Sequence, residues 1–250
     1  MDQTITPTIA PAPVVAAWPV SRQFFKEAVE IYKKRFKNLI VISLVPIALV
    51  FIFGLVVGFA AVLLKDRGSV PLIILIVALA LVAIYVSVWG FAAMIHYIIG
   101  DEQSTVRQAF DAAGQDVFPL IITGILTGLA VFGGIILLII PGILFAFWFS
   151  QGYFIVIAEK ISGPAALKLS KSYVKGNIWE IFKKGFYLGI ISIGLGILVG
   201  IVFGILDGIF HAQFLANVGG LLFRLLWGPL ATVYSYLIYK HLKTLKTGQA

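Results

Sequence analysis

The sequence predicts an all-α integral membrane protein, a bundle of about six transmembrane helices with amphipathic helices at its interface. Three observations support this fold class. Hydrophobic residues make up 60% of the chain and charged residues only 12%, whereas a soluble domain carries about 25% charge because its surface faces water. Six apolar stretches are long enough to cross a bilayer, and Lys and Arg are concentrated in alternate connections between them.

Six stretches have the length of a membrane span. A helix crossing about 30 Å of hydrocarbon needs about 20 residues at a rise of 1.5 Å each. The predicted spans are residues 39–64, 70–99, 117–140, 142–158, 185–206 and 218–239. The turn between the third and fourth spans is open, because Pro141-Gly142 and Gly133-Gly134 are both suitable turn sequences. Either turn gives a tight hairpin and an even number of spans.

The termini differ in composition from the span-containing region. Residues 1–20 contain four prolines and no helical pattern, which predicts a disordered Pro-rich tail. Residues 21–240 form a single polytopic membrane domain, and residues 241–250 form a basic C-terminal tail.

The distribution of positive charge predicts the orientation. Sixteen of the 19 Lys and Arg residues fall in the N-terminal flank, the second and fourth connections or the C-terminus, and only Lys65 and Arg67 fall in the opposite connections. Connections rich in Lys and Arg remain in the cytoplasm. Both termini are therefore predicted to be cytoplasmic, in the cytoplasmic membrane, and the basic flanks are predicted to contact anionic lipid headgroups. A net charge of +8 also suggests nucleic acid, but no soluble basic domain remains to bind it.

Amphipathic segments precede three hairpins. Apolar residues recur at helical spacing in residues 21–37, 104–117 and 163–175, with basic residues on another face of the first and third. Such stripes are typical of helices in the headgroup plane, and lipid sensing or partner docking is the alternative role. Three helix-plus-hairpin repeats, 21–99, 104–158 and 163–240, and a coincidental likeness of basic linkers both remain open.

A glycine pattern marks the fifth span. Gly196, Gly200, Gly204 and Gly208 recur every four residues and share one helix face. A face without side chains allows close helix approach. Packing inside one bundle is the main interpretation, with a homo-oligomer interface, another membrane-protein partner or a flexible transport element as alternatives.

The sequence contains little that indicates chemistry. There is no Cys, and no metal-ligand spacing, nucleophile motif or phosphate-binding loop is present. We therefore predict no metal, no cofactor and no catalytic residue. Arg224 is the ionisable residue inside a span, and Asp207 near the outer end of the fifth span is its candidate partner in an intramembrane polar site. Structural pairing, snorkelling of Arg224 and a solute or headgroup site remain alternatives.

Residues 140–182 carry a recurring pattern: Pro-Gly, a short aromatic span, an acidic residue, then Gly-x-x-Ala-Leu-x-x-Ser and Lys-Gly-Asn. This stretch resembles uncharacterised bacterial six-helix membrane proteins related to the membrane domain fused to some glycerophosphodiester phosphodiesterases. The resemblance implies a bacterial cytoplasmic membrane protein and carries over no catalytic residue, since hydrolysis belongs to a separate soluble domain. The matching positions are Pro141, Gly142, Glu159, Gly163, Ala166, Leu167, Ser170, Lys175 and Gly176.

These observations predict a non-enzymatic membrane protein with a scaffold or accessory role, whose amphipathic helices interact with lipid. A transporter or channel for a small solute or lipid is the alternative, favoured by the six spans, the Gly-rich fifth span and Arg224. A membrane-embedded enzyme ranks third, because the sequence shows no cluster of polar groups.

Overall fold

The protein is a bundle of helices. The computed structural model describes residues 18–63, 69–101, 103–210 and 214–248, and it shows no strand within those ranges. Six helical stretches are long and apolar enough to cross a membrane, which confirms the predicted all-α membrane fold. The helices are α1 (Ser21–Leu63), α2 (Ser69–Ile99), α3 (Val106–Ala113), α4 (Val117–Leu137), α5 (Ile139–Phe149), α6 (Gly152–Glu159), α7 (Gly163–Val174), α8 (Ile178–Phe210) and α9 (Leu215–Thr247).

The helices are arranged as three hairpins. α1 packs along α2, α4 packs along α5, and α8 packs along α9. A helical segment outside the predicted spans precedes each hairpin: the N-terminal part of α1, then α3, then α7. The fold therefore has three helix-plus-hairpin units in succession, joined mainly through contacts of α1 with α9, of α2 with α3, and of α7 with α4, α5 and α6.

α1 joins the first amphipathic segment to the first span without a break. Residues 21–45 contain neither Gly nor Pro, so nothing in the sequence interrupts the helix before Pro46. Pro46 lies inside α1, where its ring contacts α2: a Cβ built at Gly90 would lie 2.6 Å from Pro46 Cγ. Gly90 thus lets α2 approach the proline ring closely.

Several predicted boundaries shift. α8 begins at Ile178, before the predicted start of the fifth span at 185. α9 continues through Thr247, so most of the predicted C-terminal tail is helical. Residues 1–17 of the predicted disordered tail, and Lys65 and Arg67, lie outside the described residues.

The turn between the third and fourth spans falls at Leu138, between the two positions that the sequence suggests. Leu138 is extended, with φ −164° and ψ 146°, and α5 begins at the next residue. Pro141 is accommodated in the first turn of α5, where backbone N–H groups have no partner inside the helix. Gly134 and Gly142 allow the two arms to touch, because a Cβ at Gly134 would lie 2.8 Å from Gly142 Cα.

Gly134→Ala is expected to destabilise this hairpin, because the new methyl would meet backbone atoms of α5 that have no rotamer with which to move away. Overpacking of this kind costs about 1–3 kcal/mol. Gly133→Ala is the matched control, since a Cβ there meets nothing within 4 Å. The measurement is the melting temperature in detergent; equal values for the two variants would contradict the close approach.

The core lies at one end of the bundle, which we call the polar end. It comprises the N-terminal half of α1, the C-terminal part of α2, α3, the start of α4, α6, α7, the start of α8 and the C-terminal half of α9. Toward the opposite end the helices present exposed apolar side chains, among them Phe59, Ile74, Leu129, Ile140 and Ile205. Exposed apolar surface of this extent suits hydrocarbon and not water.

The amphipathic segments use their apolar faces in the core. The sequence predicts these faces for the headgroup plane, but Ala109, Phe110 and Ala113 of α3 are buried, as are Ala166 and Val174 of α7. The two short helices lie against neighbouring helices, and protein contacts cover the apolar stripes that lipid would otherwise cover. The stripe of α1 is covered only in part, because Phe36 is 43% exposed.

Candidate functional site: a polar network and an adjoining apolar groove

Glu159 is the centre of one buried polar cluster. It is the last residue of α6, and its side chain is 14% exposed. The hydroxyl of Tyr239 donates to Glu159 Oε1 at 2.6 Å, and the hydroxyl of Tyr173 donates to both carboxylate oxygens at 3.0 and 3.1 Å. Lys243 Nζ lies 3.7 Å from Oε1. Burial, and next the hydrogen bond and charge of Glu159, raise the pKa of Tyr173 to about 12, so this hydroxyl keeps its proton throughout the neutral range.

Asp116 is the centre of a second cluster. It lies in the 3-10 turn Gly114–Asp116 before α4, and only 6% of its side chain is exposed. Asp116 Oδ2 lies 2.6 Å from His96 Nε2 and 2.8 Å from Lys160 Nζ. Lys160 has a left-handed backbone, φ 56° and ψ 30°, at the C-terminus of α6. That conformation favours Gly, so the ion pair with Asp116 accompanies a strained backbone.

Two buried hydroxyls join α7 to the hairpin of α4 and α5. Thr123 Oγ1 accepts a hydrogen bond of 2.9 Å from the N–H of Gly163, where φ is +64°. Ser170 Oγ donates to the carbonyl of Trp148 at 2.7 Å. Thr123 and Ser170 are both fully buried, so these bonds satisfy polar atoms that would otherwise be stranded.

Two basic side chains complete the polar end. Arg35 donates to the carbonyls of Tyr97 and Gly100, at 2.6 and 3.0 Å, and so caps the C-terminus of α2. Lys184 is buried, with its Nζ 4.6 Å from the centre of the Trp18 ring and 3.5 Å from Glu180 Oε2.

The polar groups of these clusters are engaged with one another. Both carboxylate oxygens of Glu159 accept hydrogen bonds from tyrosine hydroxyls, and Oδ2 of Asp116 contacts His96 and Lys160. The described residues hold no group of three or more His, Asp or Glu side chains that could bind a metal ion. The arrangement joins helices through hydrogen bonds and ion pairs.

The two residues of the predicted intramembrane site are placed apart from these clusters. Asp207 is on α8 and Arg224 is an exposed residue of α9. Within the described ranges no ion pair joins them, and Asp207 Oδ1 is buried without a hydrogen-bond partner. The exposure of Arg224 fits snorkelling better than a shared site.

The glycine stripe of α8 is mostly unpacked. A Cβ built at Gly196 would touch the ring of Phe223 at 3.8 Å, but a Cβ at Gly200, Gly204 or Gly208 meets nothing within 4 Å. Packing of the whole stripe inside one bundle is therefore not found. The close contact between α8 and α9 is made instead by Gly219, where a Cβ would lie 2.5 Å from Phe203 Cγ.

The residues of the family-like pattern have positions that their chemistry explains. Gly163 and Gly176 have positive φ, +64° and +93°, which side chains rarely adopt. Ala166 and Ser170 are fully buried where α7 lies against α4 and α5. The other members lie at the α4–α5 turn (Pro141, Gly142), in the Glu159 cluster, on the buried face of α7 (Leu167) and at the end of α7 (Lys175).

A groove of about 550 Å³ opens beside the polar end. Its walls come from α1, α8 and α9, and the side chains that line it are apolar or aromatic. Leu195, Leu222 and Leu226 are about two-fifths exposed, so the groove is open on the outer surface of the bundle. The one hydroxyl in its lining, that of Tyr32, donates to the carbonyl of Leu226 at 2.9 Å.

Comparison with known proteins supplies no relative from which a role for the clusters or the groove can be taken. No family model, no curated protein and no solved structure matches this chain. The resemblance to the membrane domain fused to some glycerophosphodiester phosphodiesterases therefore stays a prediction, and function has to be argued from this chain's own residues.

The sequence predicts Glu159 as a pattern residue but does not indicate its partners. It also leaves Asp116 and His96 without a role, and it counts Lys160 and Lys184 only among the basic residues of a cytoplasmic connection. One signal was available for Asp116: it is the carboxylate directly before a long apolar run, a position where desolvation makes a partner necessary. No comparable signal identifies His96 or Tyr239 as partners, because residues distant in the chain are brought together only by the packing of the hairpins.

Proposed function

We propose that this chain is a non-enzymatic protein of the bacterial cytoplasmic membrane with a scaffold or accessory role, which interacts with lipid through the polar end. The observation that carries the proposal is that the two carboxylates at the polar end, the largely buried Glu159 and the buried Asp116, bind other side chains of the bundle. An active site or a conduit needs polar groups directed at a substrate.

Cavities beside the predicted spans support the same reading. The groove of α1, α8 and α9 is lined by apolar and aromatic side chains, and a second cavity of about 310 Å³ is lined by Pro46, Ile47, Val50 and Ser87. A path for an ion or a polar solute is lined by charged or hydrogen-bonding groups. The walls of these two cavities favour hydrocarbon.

A lipid transporter is the second candidate, because the apolar groove is open on the outer surface. Lipid vesicles containing the purified protein and a trace of phosphatidylglycerol with a fluorescent headgroup distinguish the two. We expect added dithionite to quench only the labelled lipid in the outer leaflet, as it does in vesicles without protein. Rapid loss of the protected fraction would overturn the scaffold role and support lipid transport.

The location is tested separately by cysteine labelling. Because the chain contains no native Cys, an introduced Cys is the single residue that the reagent labels. Lys246→Cys is expected to react with a membrane-impermeant maleimide only after the cells are permeabilised. Labelling in intact cells would contradict a cytoplasmic C-terminus.

A further inference from the structure

We propose that the groove between α1, α8 and α9 binds an acyl chain of an anionic phospholipid whose phosphate lies against a row of cations on α1. The row consists of Arg22, Lys26, Lys33 and Lys37. This inference rests on the proposed lipid-interacting role and names the site and the lipid class for it.

The walls of the groove combine two kinds of segment. Leu195, Val199 and Phe203 of α8 and Leu226 and Trp227 of α9 belong to the predicted fifth and sixth spans. The third wall is formed by Phe25, Tyr32 and Phe36, which belong to the amphipathic segment before the first span. The volume of this groove, about 550 Å³, is that of a ligand pocket, roughly 300–1,000 Å³.

The cations follow one edge of this groove. At 100° per residue, the three groove residues of α1 fall within about 40° of one another around the helix, and the four cations fall roughly 60–120° from Phe25 on one side. All four side chains are exposed. None of them forms an ion pair within 4.0 Å among the described residues.

Along the described residues of α1, the opposite edge of the wall has no row of exposed cations, so the two edges of the groove differ in charge. Ala28 is buried, and Arg35 is engaged with the carbonyls at the end of α2. Of the acidic residues of α1, Glu30 borders the row, about 140° from Phe25, and Glu27 lies further round, about 200°. The groove thus has apolar side chains along its floor and positive charge along one rim.

This combination selects the occupant. Besides the indole N–H of Trp227, the only hydrogen-bonding side-chain group in the described lining is the hydroxyl of Tyr32, which is bound to a carbonyl, so a polar solute would lose most of its hydration without compensation. An acyl chain loses nothing there, and a phosphate gains from the cations. A second copy of this chain would need a complementary acidic ridge to cover the same rim.

The test measures binding of phosphatidylglycerol and phosphatidylcholine, with identical brominated chains, to purified protein in mild detergent. The readout is quenching of Trp fluorescence that is absent from a Trp227→Phe variant, because Trp227 lines the groove. We expect phosphatidylglycerol to bind at least about tenfold more tightly. Equal binding of the two lipids would show only an annular lipid and would overturn the proposal.

Two variants locate the site. Lys26→Gln with Lys33→Gln is expected to weaken phosphatidylglycerol binding about 30-fold and leave phosphatidylcholine binding unchanged. The control, Lys34→Gln with Lys168→Gln, removes the same charge from exposed positions away from the rim and is expected to have no effect. Val199→Phe, which fills the groove, is expected to abolish the Trp227 signal for both lipids. Equal effects of the two double variants, or an unchanged signal in Val199→Phe, would overturn the site.

A salt titration on the unmodified protein tests the role of the cations without any substitution, so it does not depend on whether the variants fold. At 1 M salt the screening length falls to about 3 Å, and we expect the preference for phosphatidylglycerol to disappear. A preference that persists would overturn the role of the cations. The two proposals fail separately. If phosphatidylglycerol shows no preferred binding in the groove and the vesicle assay shows no lipid movement, only the lipid site is overturned and the scaffold role stands. Rapid lipid movement in the vesicle assay would overturn the scaffold role.

Discussion

Replacing Glu159 with alanine is expected to destabilise the protein strongly, with a melting temperature in detergent at least about 5 °C below that of the unmodified chain. The physical reason is the loss of the one acceptor that serves the hydroxyls of Tyr173 and Tyr239. Tyr173 is 5% and Tyr239 is 2% exposed, so water does not replace the carboxylate. Each stranded buried hydroxyl costs about 1–3 kcal/mol.

Two companion variants separate this network from a general effect of losing an acid. Glu27→Ala removes an exposed carboxylate of α1 and is expected to leave the melting temperature unchanged. Glu159→Gln keeps one acceptor oxygen and is expected to lose less than the alanine variant. In a double-mutant cycle, Glu159→Gln and Tyr239→Phe should be non-additive, because they remove the same hydrogen bond. Additive losses would contradict the contact of 2.6 Å.

Replacing Asp116 with alanine is the second change with a large expected effect. His96 and Lys160 lose their shared partner, and the hydrogen bond to the buried carboxylate contributes about 1.5–3 kcal/mol. The matched control is Asp111→Ala on neighbouring α3. Its pair with Arg107 spans 3.8 Å between side chains that are 73% and 91% exposed, and exposed pairs contribute about 0–1 kcal/mol.

The left-handed backbone of Lys160 sharpens this prediction. The ion pair and the strain oppose each other at one residue, since a non-Gly residue in this conformation costs about 1–2 kcal/mol. We expect Lys160→Gly to gain stability in the Asp116→Ala background, where no ion pair remains to be lost. In the unmodified background the gain should be smaller. Equal gains in both, measured as melting temperatures, would show that the contact of 2.8 Å contributes nothing.

The hydrogen bonds and ion pairs that join the hairpins lie at the polar end of the bundle. Away from that end the hairpins present apolar side chains to their surroundings, and lipid supplies no hydrophobic drive between helices. Hydrogen bonds between hairpins therefore carry specificity: Tyr173 and Tyr239 bring α7 and α9 to Glu159 of α6. Within the first hairpin, Arg35 holds α1 to α2.

Some features of this fold could be predicted well and others poorly. The second span agrees to one residue, because its ends are marked by a charged connection and by Gly100. The sequence predicts an amphipathic helix in residues 21–37 and a span from 39, and α1 joins them into one helix, since no Gly or Pro occurs before Pro46. The turn at Leu138 has no turn residue of its own; it is placed by the contact of Gly134 with Gly142 across the hairpin.

The amino-acid sequence by itself determined the membrane environment and the helical fold class. Those properties follow from transfer free energies that add residue by residue along the chain, so a local count suffices. Only the tertiary structure decided which polar groups meet, why Gly219 and not the stripe of Gly200, Gly204 and Gly208 forms the close contact of α8 with α9, and where the groove lies. These depend on the rotation and axial position of each helix relative to its neighbours, which packing of the whole chain sets and no local pattern contains.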